Sequence, residues 1–176
     1  LREELARIVR LARAREAATH AAGYAPGVRD LEFDLLGDDG EPVRLGFEDG
    51  AFALTGRIDR LDTRREQGAR QAIVVDYKTG VSTSEESAKA MRNLEDLQLP
   101  LYARAVERVR GVSVVGLEHV VATRRARQGL YADDRREALL ARAEGRGQDF
   151  LTRSDFRGVI EGAERRAVEV VAAVRR

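Results

Sequence analysis

A chain of 176 residues, 43% hydrophobic and 35% charged, has the length of one domain and enough apolar side chains for a full core. Thirty-one basic residues against thirty acidic ones leave a net charge of +1. No run of 18 apolar residues offers a membrane span and no signal-like segment opens the chain, so a cytoplasmic protein is expected. The absence of cysteine excludes disulfides, thiolate zinc sites and cysteine-ligated iron–sulfur clusters within this stretch.

Residues 1–21 repeat apolar side chains at Leu1, Leu5, Ile8, Leu11 and Ala12 with charges between them, which predicts an amphipathic helix, broken by Gly23 and Pro26. The sequence begins in mid-helix without an initiator methionine and is expected to be a fragment of something longer. Extended runs follow near 30–36 and 43–47, with Gly37-Asp38-Asp39-Gly40 as a hairpin turn between them. Residues 51–62 read as a third strand and 72–78 as a fourth, joined by the polar segment 63–70. The four together predict an antiparallel meander.

Helical patterns occupy 84–94 and 96–110, the second placing Leu97, Leu101, Ala105 and Val109 on one face with Pro100 in its first turn. A valine-rich run at 112–122 predicts a fifth strand. Helices are expected again at 134–145 and 154–175, the last with Val159, Ala163, Val170 and Val174 as its buried stripe. The order divides the chain into a leading helix and linker (1–28), a sheet with one helix carrying the motifs (29–122), and a helical C-terminal part (123–176). The excess of positive charge lies in residues 104–176, with 16 basic and 11 acidic side chains, in arginines that suit either solvated helix faces or a phosphate backbone.

Only two of the basic residues are lysines. Lys89 sits in a polar segment and reads as a solvated side chain. Lys78 ends the strand Ile73–Lys78, where period two puts it on one face with Asp76 and turns Val75 and Tyr77 the other way. Antiparallel pairing with the neighbouring strand would bring Asp59 beside Asp76. Two carboxylates at close range repel unless a cation lies between them, and Mg²⁺ takes one or two carboxylates while keeping waters and phosphate oxygens. An ammonium beside such an ion suits phosphodiester hydrolysis, because it orients a nucleophilic water or offsets charge in the transition state.

Three motifs in this order, Gly56-Arg57-Ile58-Asp59-Arg60-Leu61-Asp62, then Val75-Asp76-Tyr77-Lys78-Thr79-Gly80, then Leu97-Gln98-Leu99-Pro100-Leu101-Tyr102, make the sequence resemble a RecB-type nuclease domain of the PD-(D/E)XK superfamily. The resemblance runs from about Leu31 to the C-terminus. It is nearest to the nuclease domains that end the AddB and RecB subunits of bacterial helicase–nucleases. What it implies is an α/β fold with a restriction-endonuclease-like core, a central mixed β-sheet flanked by helices, forming a single nuclease domain over 1–176.

It further implies an Mg²⁺-dependent deoxyribonuclease, with Mn²⁺ as a substitute, acting on DNA as an exonuclease module beside a helicase in recombinational double-strand-break repair, near the nucleoid. Asp59 and Asp76 are then the metal-binding carboxylates, the main-chain carbonyl of Tyr77 a further ligand, and Lys78 the catalytic lysine. Gln98 and Tyr102, at i and i+4 on one helix face, border the active site and contact DNA.

The family also carries an upstream histidine or glutamate ligand, for which the candidates are Glu16, His20 and Glu32. His20 lacks the family's neighbours and reads as a surface histidine, whereas Glu32 suits an additional acid ahead of the glycine–arginine–isoleucine–aspartate strand. AddB-like proteins continue into an iron–sulfur cysteine cluster that this chain does not contain. His119 reads as structural or partly exposed; Asp62 suits either an acid supporting the metal ligands or, the simpler reading, a strand-end residue. Two further readings stand beside the nuclease: a catalytically inactive nuclease-fold domain that binds DNA or acts as a scaffold, and a small domain with solvated charged strands and a protein partner.

Overall fold

The computed structural model describes residues 23–174 apart from 49, 67, 79–83, 122–126, 137, 138 and 140–147, together with Glu3, Ala6, Val9, Arg10, Arg13, Ala17 and His20 ahead of them. Those seven leading residues are helical and exposed. The sheet has six strands in the order β1 (Ala25–Asp34), β4 (Arg57–Glu66), β5 (Ala69–Lys78), β6 (Ser113–Val121), β7 (Arg127–Ala132) and β8 (Gln148–Leu151). Neighbours pair antiparallel except β5 with β6 and β7 with β8, so the sheet is mixed.

Its centre is covered on both sides: β6 is buried at every residue from Val114 to Val121, and β5 from Gln71 to Val75. Among the described residues it is flanked by helices α1 (Ser84–Arg92) against β7 and β8, α2 (Gln98–Arg110) against β5 and β6, and α3 (Arg153–Val174) against α2. The side chains of Leu61, Ile73, Leu99, Leu117, Tyr131 and Phe156 are fully buried between these elements. Gly111 ends α2 in the left-handed conformation, φ 57°, with its N–H on the Glu107 carbonyl at 3.1 Å.

The expected meander is corrected. The run 51–62 breaks at Thr55-Gly56, and its two parts belong to different sheets. β2 (Val43–Phe47) pairs only with β3 (Gly50–Leu54) in a separate hairpin, while β1 passes over it to β4. Gly37–Gly40 does turn, with Gly40 N–H on the Gly37 carbonyl at 3.0 Å, but it leads to a single bridge, Leu36↔Pro42, rather than a ladder. The hairpin has its own anchor. Gly46, at φ 135°, lies so close to β3 that a Cβ there would collide with the Gly50 carbonyl. Its N–H donates to Glu164 of α3 at 2.8 Å, and Arg104 of α2 holds the same carboxylate at 2.7 Å.

Segment 63–70, expected as a polar connection, instead extends β4 and β5 to the pair Glu66↔Ala69. The C-terminal part is not purely helical, since it adds β7 and β8 to the sheet. Of the helix expected at 134–145, Arg136 and Leu139 are helical after the 3₁₀ turn Asp133–Arg135, and most of the rest lies outside the described residues. In α3, Val159 and Ala163 are buried, but Val170 and Val174 are 45% and 82% exposed. A helix of 22 residues is about 33 Å long; in its last turns Val168 and Val171 still pack against the core, while Val170 and Val174 face away from it.

Candidate functional site

The β4–β5 ladder runs from Glu66↔Ala69 to Arg60↔Val75. One residue further, the same register sets Asp59 opposite Asp76. There the strands stop bonding to each other, and the Tyr77 N–H donates to Asp59 Oδ2 at 2.7 Å instead of to a strand carbonyl. In an extended residue N–H and C=O point to the same neighbour, so the Tyr77 carbonyl also faces the Asp59 side.

On the other side of β5, parallel pairing puts His119 beside Asp76. The β1–β4 register, Leu31↔Arg60 and Phe33↔Ile58, sets Glu32 opposite Asp59. Glu32, Asp59, Asp76 and His119 thus form one row across four adjacent strands. Cross-strand partners share a face, which is why residues so far apart in sequence meet.

Around Asp76 the polar groups interlock. Lys78 Nζ lies 2.8 Å from Asp76 Oδ2 and donates to Gln98 Oε1 at 3.1 Å. The Gln98 amide nitrogen returns to Asp76 Oδ1 at 3.4 Å. The first residue of α2 therefore spans the two ends of the Asp76–Lys78 pair. Asp96, just ahead of α2, accepts the Gln98 N–H at 3.1 Å and orients that end of the helix. Tyr102, one turn on, lies against the backbone where β4 begins: a Cβ on Gly56 would be 2.6 Å from its Oη. The glycine of the first motif leaves room for the tyrosine of the third.

The buried Asp76 Oδ2 has no hydrogen-bond partner, because the ammonium 2.8 Å away makes an ion pair at an angle too poor for a hydrogen bond. Asp59 keeps Oδ1 clear of hydrogen bonds from the described residues. Among the described residues no three His, Cys, Asp or Glu side chains enclose a metal ion. Two carboxylates and one carbonyl fit a hard divalent ion of the Mg²⁺ kind, which takes few protein ligands and keeps its waters. They do not fit a transition metal that needs a nitrogen or sulfur cage.

Not every candidate joins this group. Glu32 sits opposite Asp59, but it adopts φ 46°, is 77% exposed, and reaches Arg57 at 3.5 Å. Arg57 also takes Asp34 at 3.0 Å, and these carboxylates raise its pKa, the Asp34 hydrogen bond first. His20 is exposed, and its carbonyl accepts the Gly23 N–H at 2.9 Å. Gly23 lies against Arg64, five residues along β4 from Asp59 and so about 17 Å away. Glu16 lies outside the described residues.

One expectation is corrected, and of the two readings of His119 the buried one holds. Asp62 is not a strand-end residue: it is fully buried inside β4 and takes Arg60 Nε at 2.5 Å. An arginine two residues away lies on the same strand face and can be buried with it. His119 is buried, 4% exposed, with Nδ1 2.5 Å from the Ser87 hydroxyl of α1. Its Nε2 stands 3.8 Å from Asp76 Oδ2 and 3.9 Å from Asp96 Oδ2.

Burial holds its pKa below the ordinary histidine value, against the upward pull of Asp96 and Asp76, while Lys78 adds to the lowering. The ring is therefore neutral at neutral pH. The signal for this neighbour was available: a strand reached from β5 through two helices returns parallel beside it.

Sequence comparison agrees with this architecture. The family model of the PD-(D/E)XK nuclease superfamily matches residues 1–173, and the chain belongs to that superfamily. It is also similar to one component of the ATP-dependent helicase/deoxyribonuclease of Clostridium botulinum, strain Loch Maree / Type A3, at 32% identity over 84 residues. The same-named protein of strain Langeland / NCTC 10281 / Type F is 34% identical over 59 residues. These stretches cover 47% and 33% of this chain but only 7% and 5% of those proteins.

Proposed function

We propose that this superfamily member is a metal-dependent DNA nuclease domain that hydrolyses phosphodiester bonds, and that it serves as an exonuclease module beside a helicase in double-strand-break repair. One observation carries the reading. Asp59 and Asp76 stand opposite each other at the point where β4 and β5 part, with Lys78 on the same face and the Asp76 Oδ2 atom buried without a hydrogen-bond partner. The names of the partial relatives support DNA as substrate and a helicase as companion.

Asp59, Asp76 and the Tyr77 carbonyl would hold a divalent ion, Mg²⁺ or Mn²⁺. Bound there, the ion supplies positive charge at the phosphodiester and makes water easier to deprotonate. Lys78 places a compact ammonium at the edge of that site, where it steadies the negative charge that builds on the phosphate; a guanidinium is too broad for the task. Gln98 accepts from the ammonium and holds it beside Asp76. Tyr102, packed along Gly56, borders the path of the nucleic acid.

The test is cleavage of labelled linear DNA with Mg²⁺ or Mn²⁺, comparing the wild type with Lys78→Ala and with an EDTA control. Cleavage that needs metal and disappears in Lys78→Ala is expected. A chain that binds DNA but leaves it intact under all metals would show the inactive, scaffolding form of the fold instead.

A further inference from the structure

We propose that His119 is a positioning residue of this site, carrying the orientation of Ser87 on α1 to the Asp76 carboxylate and so setting how Asp76 meets a divalent ion. The inference rests on the nuclease reading and adds to it a residue outside the three motifs.

Three observations converge on it. His119 lies in the row that contains Asp59 and Asp76, as the registered partner of Asp76 across the parallel β5–β6 pair. It is 4% exposed, and its Nε2 is buried without a hydrogen-bond partner. That atom faces Asp76 Oδ2, itself buried and lacking a hydrogen bond, across 3.8 Å. Buried polar atoms are nearly always satisfied, so the unpartnered Nε2, facing a carboxylate oxygen held only by the Lys78 ion pair, marks a contact that a small turn of the ring completes.

The tautomer follows from the surroundings. Nε2 looks toward two carboxylates, Asp76 and Asp96, and a lone pair there would be repelled. The proton therefore sits on Nε2, and Nδ1 accepts the Ser87 hydroxyl. This makes a chain from a helix to the site: the Ser87 O–H fixes the ring, and the ring N–H faces the carboxylate. Groups that orient a metal-holding side chain in this way change metal affinity about 10- to 100-fold when removed.

The test measures Mn²⁺ binding directly, by the paramagnetic signal of the free ion, alongside thermal melting in EDTA. The proteins are the wild type, His119→Gln, His119→Leu, Ser87→Ala and Asp76→Asn. His119→Gln keeps an N–H donor near the position of Nε2, whereas His119→Leu keeps bulk alone. His119→Leu is expected to weaken Mn²⁺ binding about tenfold, with His119→Gln recovering most of the loss and Ser87→Ala falling between them.

Equal Mn²⁺ affinity in His119→Leu and wild type overturns the proposal, as does equal impairment in the Gln and Leu variants. If His119→Leu does not fold, Ser87→Ala decides: weakened binding in a folded protein supports the chain, and unchanged binding overturns it. A wild type that binds Mn²⁺ through Asp76 while all His119 and Ser87 variants match it removes this inference alone. Absence of Asp76-dependent binding in the wild type removes the nuclease reading, and this inference with it.

Discussion

The Tyr102 phenol occupies the space that a side chain on Gly56 would need, with Oη 2.6 Å and two ring carbons 2.9 Å from the position of a Cβ there. The first and third motifs are thus two sides of one contact, in which a bare strand backbone receives an aromatic ring.

Gly56→Val should therefore displace Tyr102. A displacement on the order of 1 Å beside a reacting centre costs up to about 100-fold in rate, so DNA cleavage is expected to fall at least tenfold. In a Tyr102→Ala background the same glycine substitution should do little more, and a double-mutant cycle on cleavage rate checks this. Additive losses would show that the two residues act separately.

Gln98 bridges the ammonium and the carboxylate, at 3.1 Å and 3.4 Å. Gln98→Ala removes the group that holds both Lys78 and Asp76 in place and is expected to lower cleavage about tenfold, the lower end of the loss when a group orienting a metal-holding carboxylate is removed. The melting temperature should hardly move, since Gln98 is only partly buried.

Asp62 tests the division between site and scaffold. Both it and Arg60 are buried, and removing one partner of a buried ion pair costs about 3 kcal/mol or more. Asp62→Ala should lower the melting temperature by about 6–12 °C for a domain of this size. Paired replacement of Arg60 and Asp62 by Met and Leu should recover much of that loss, and Mn²⁺ binding at a temperature where the variants are folded should persist.

Stability of the metal-free protein should fall as the pH drops below the ordinary histidine value of about 6.5. The folded-state pKa of His119 is lowered by burial, so between the two values the unfolded chain binds the extra proton. The contribution is complete above the unfolded value and is lost as pH falls toward the folded one. Around the ring stand Ser87 from α1, Asp76 and Lys78 from β5, and Asp96 ahead of α2. Melting in EDTA across pH 5–8 should show the decline in the wild type and a flatter profile in His119→Gln.

Much of the local structure was legible in the sequence. Helix α2 starts and stops close to where its apolar spacing places it, and the period of two in β5 puts Asp76 and Lys78 together on one face. The motif order also indicated which strand Asp59 belongs to. These features depend on backbone preference and on side-chain direction within one element, which neighbouring residues determine.

The partners were a different matter. That β1 passes over the hairpin to reach β4, that Asp62 is buried, and that Val170 and Val174 of α3 are exposed were decided by the tertiary structure alone. The helical crossover signalled that β6 would lie parallel beside β5, but the register that sets His119 against Asp76 came from the tertiary structure. An alternating pattern shows which face of a strand is apolar but not which strand will lie beside it. That choice depends on the shape left by α2, α3 and Glu164, and on burial that only the assembled chain creates.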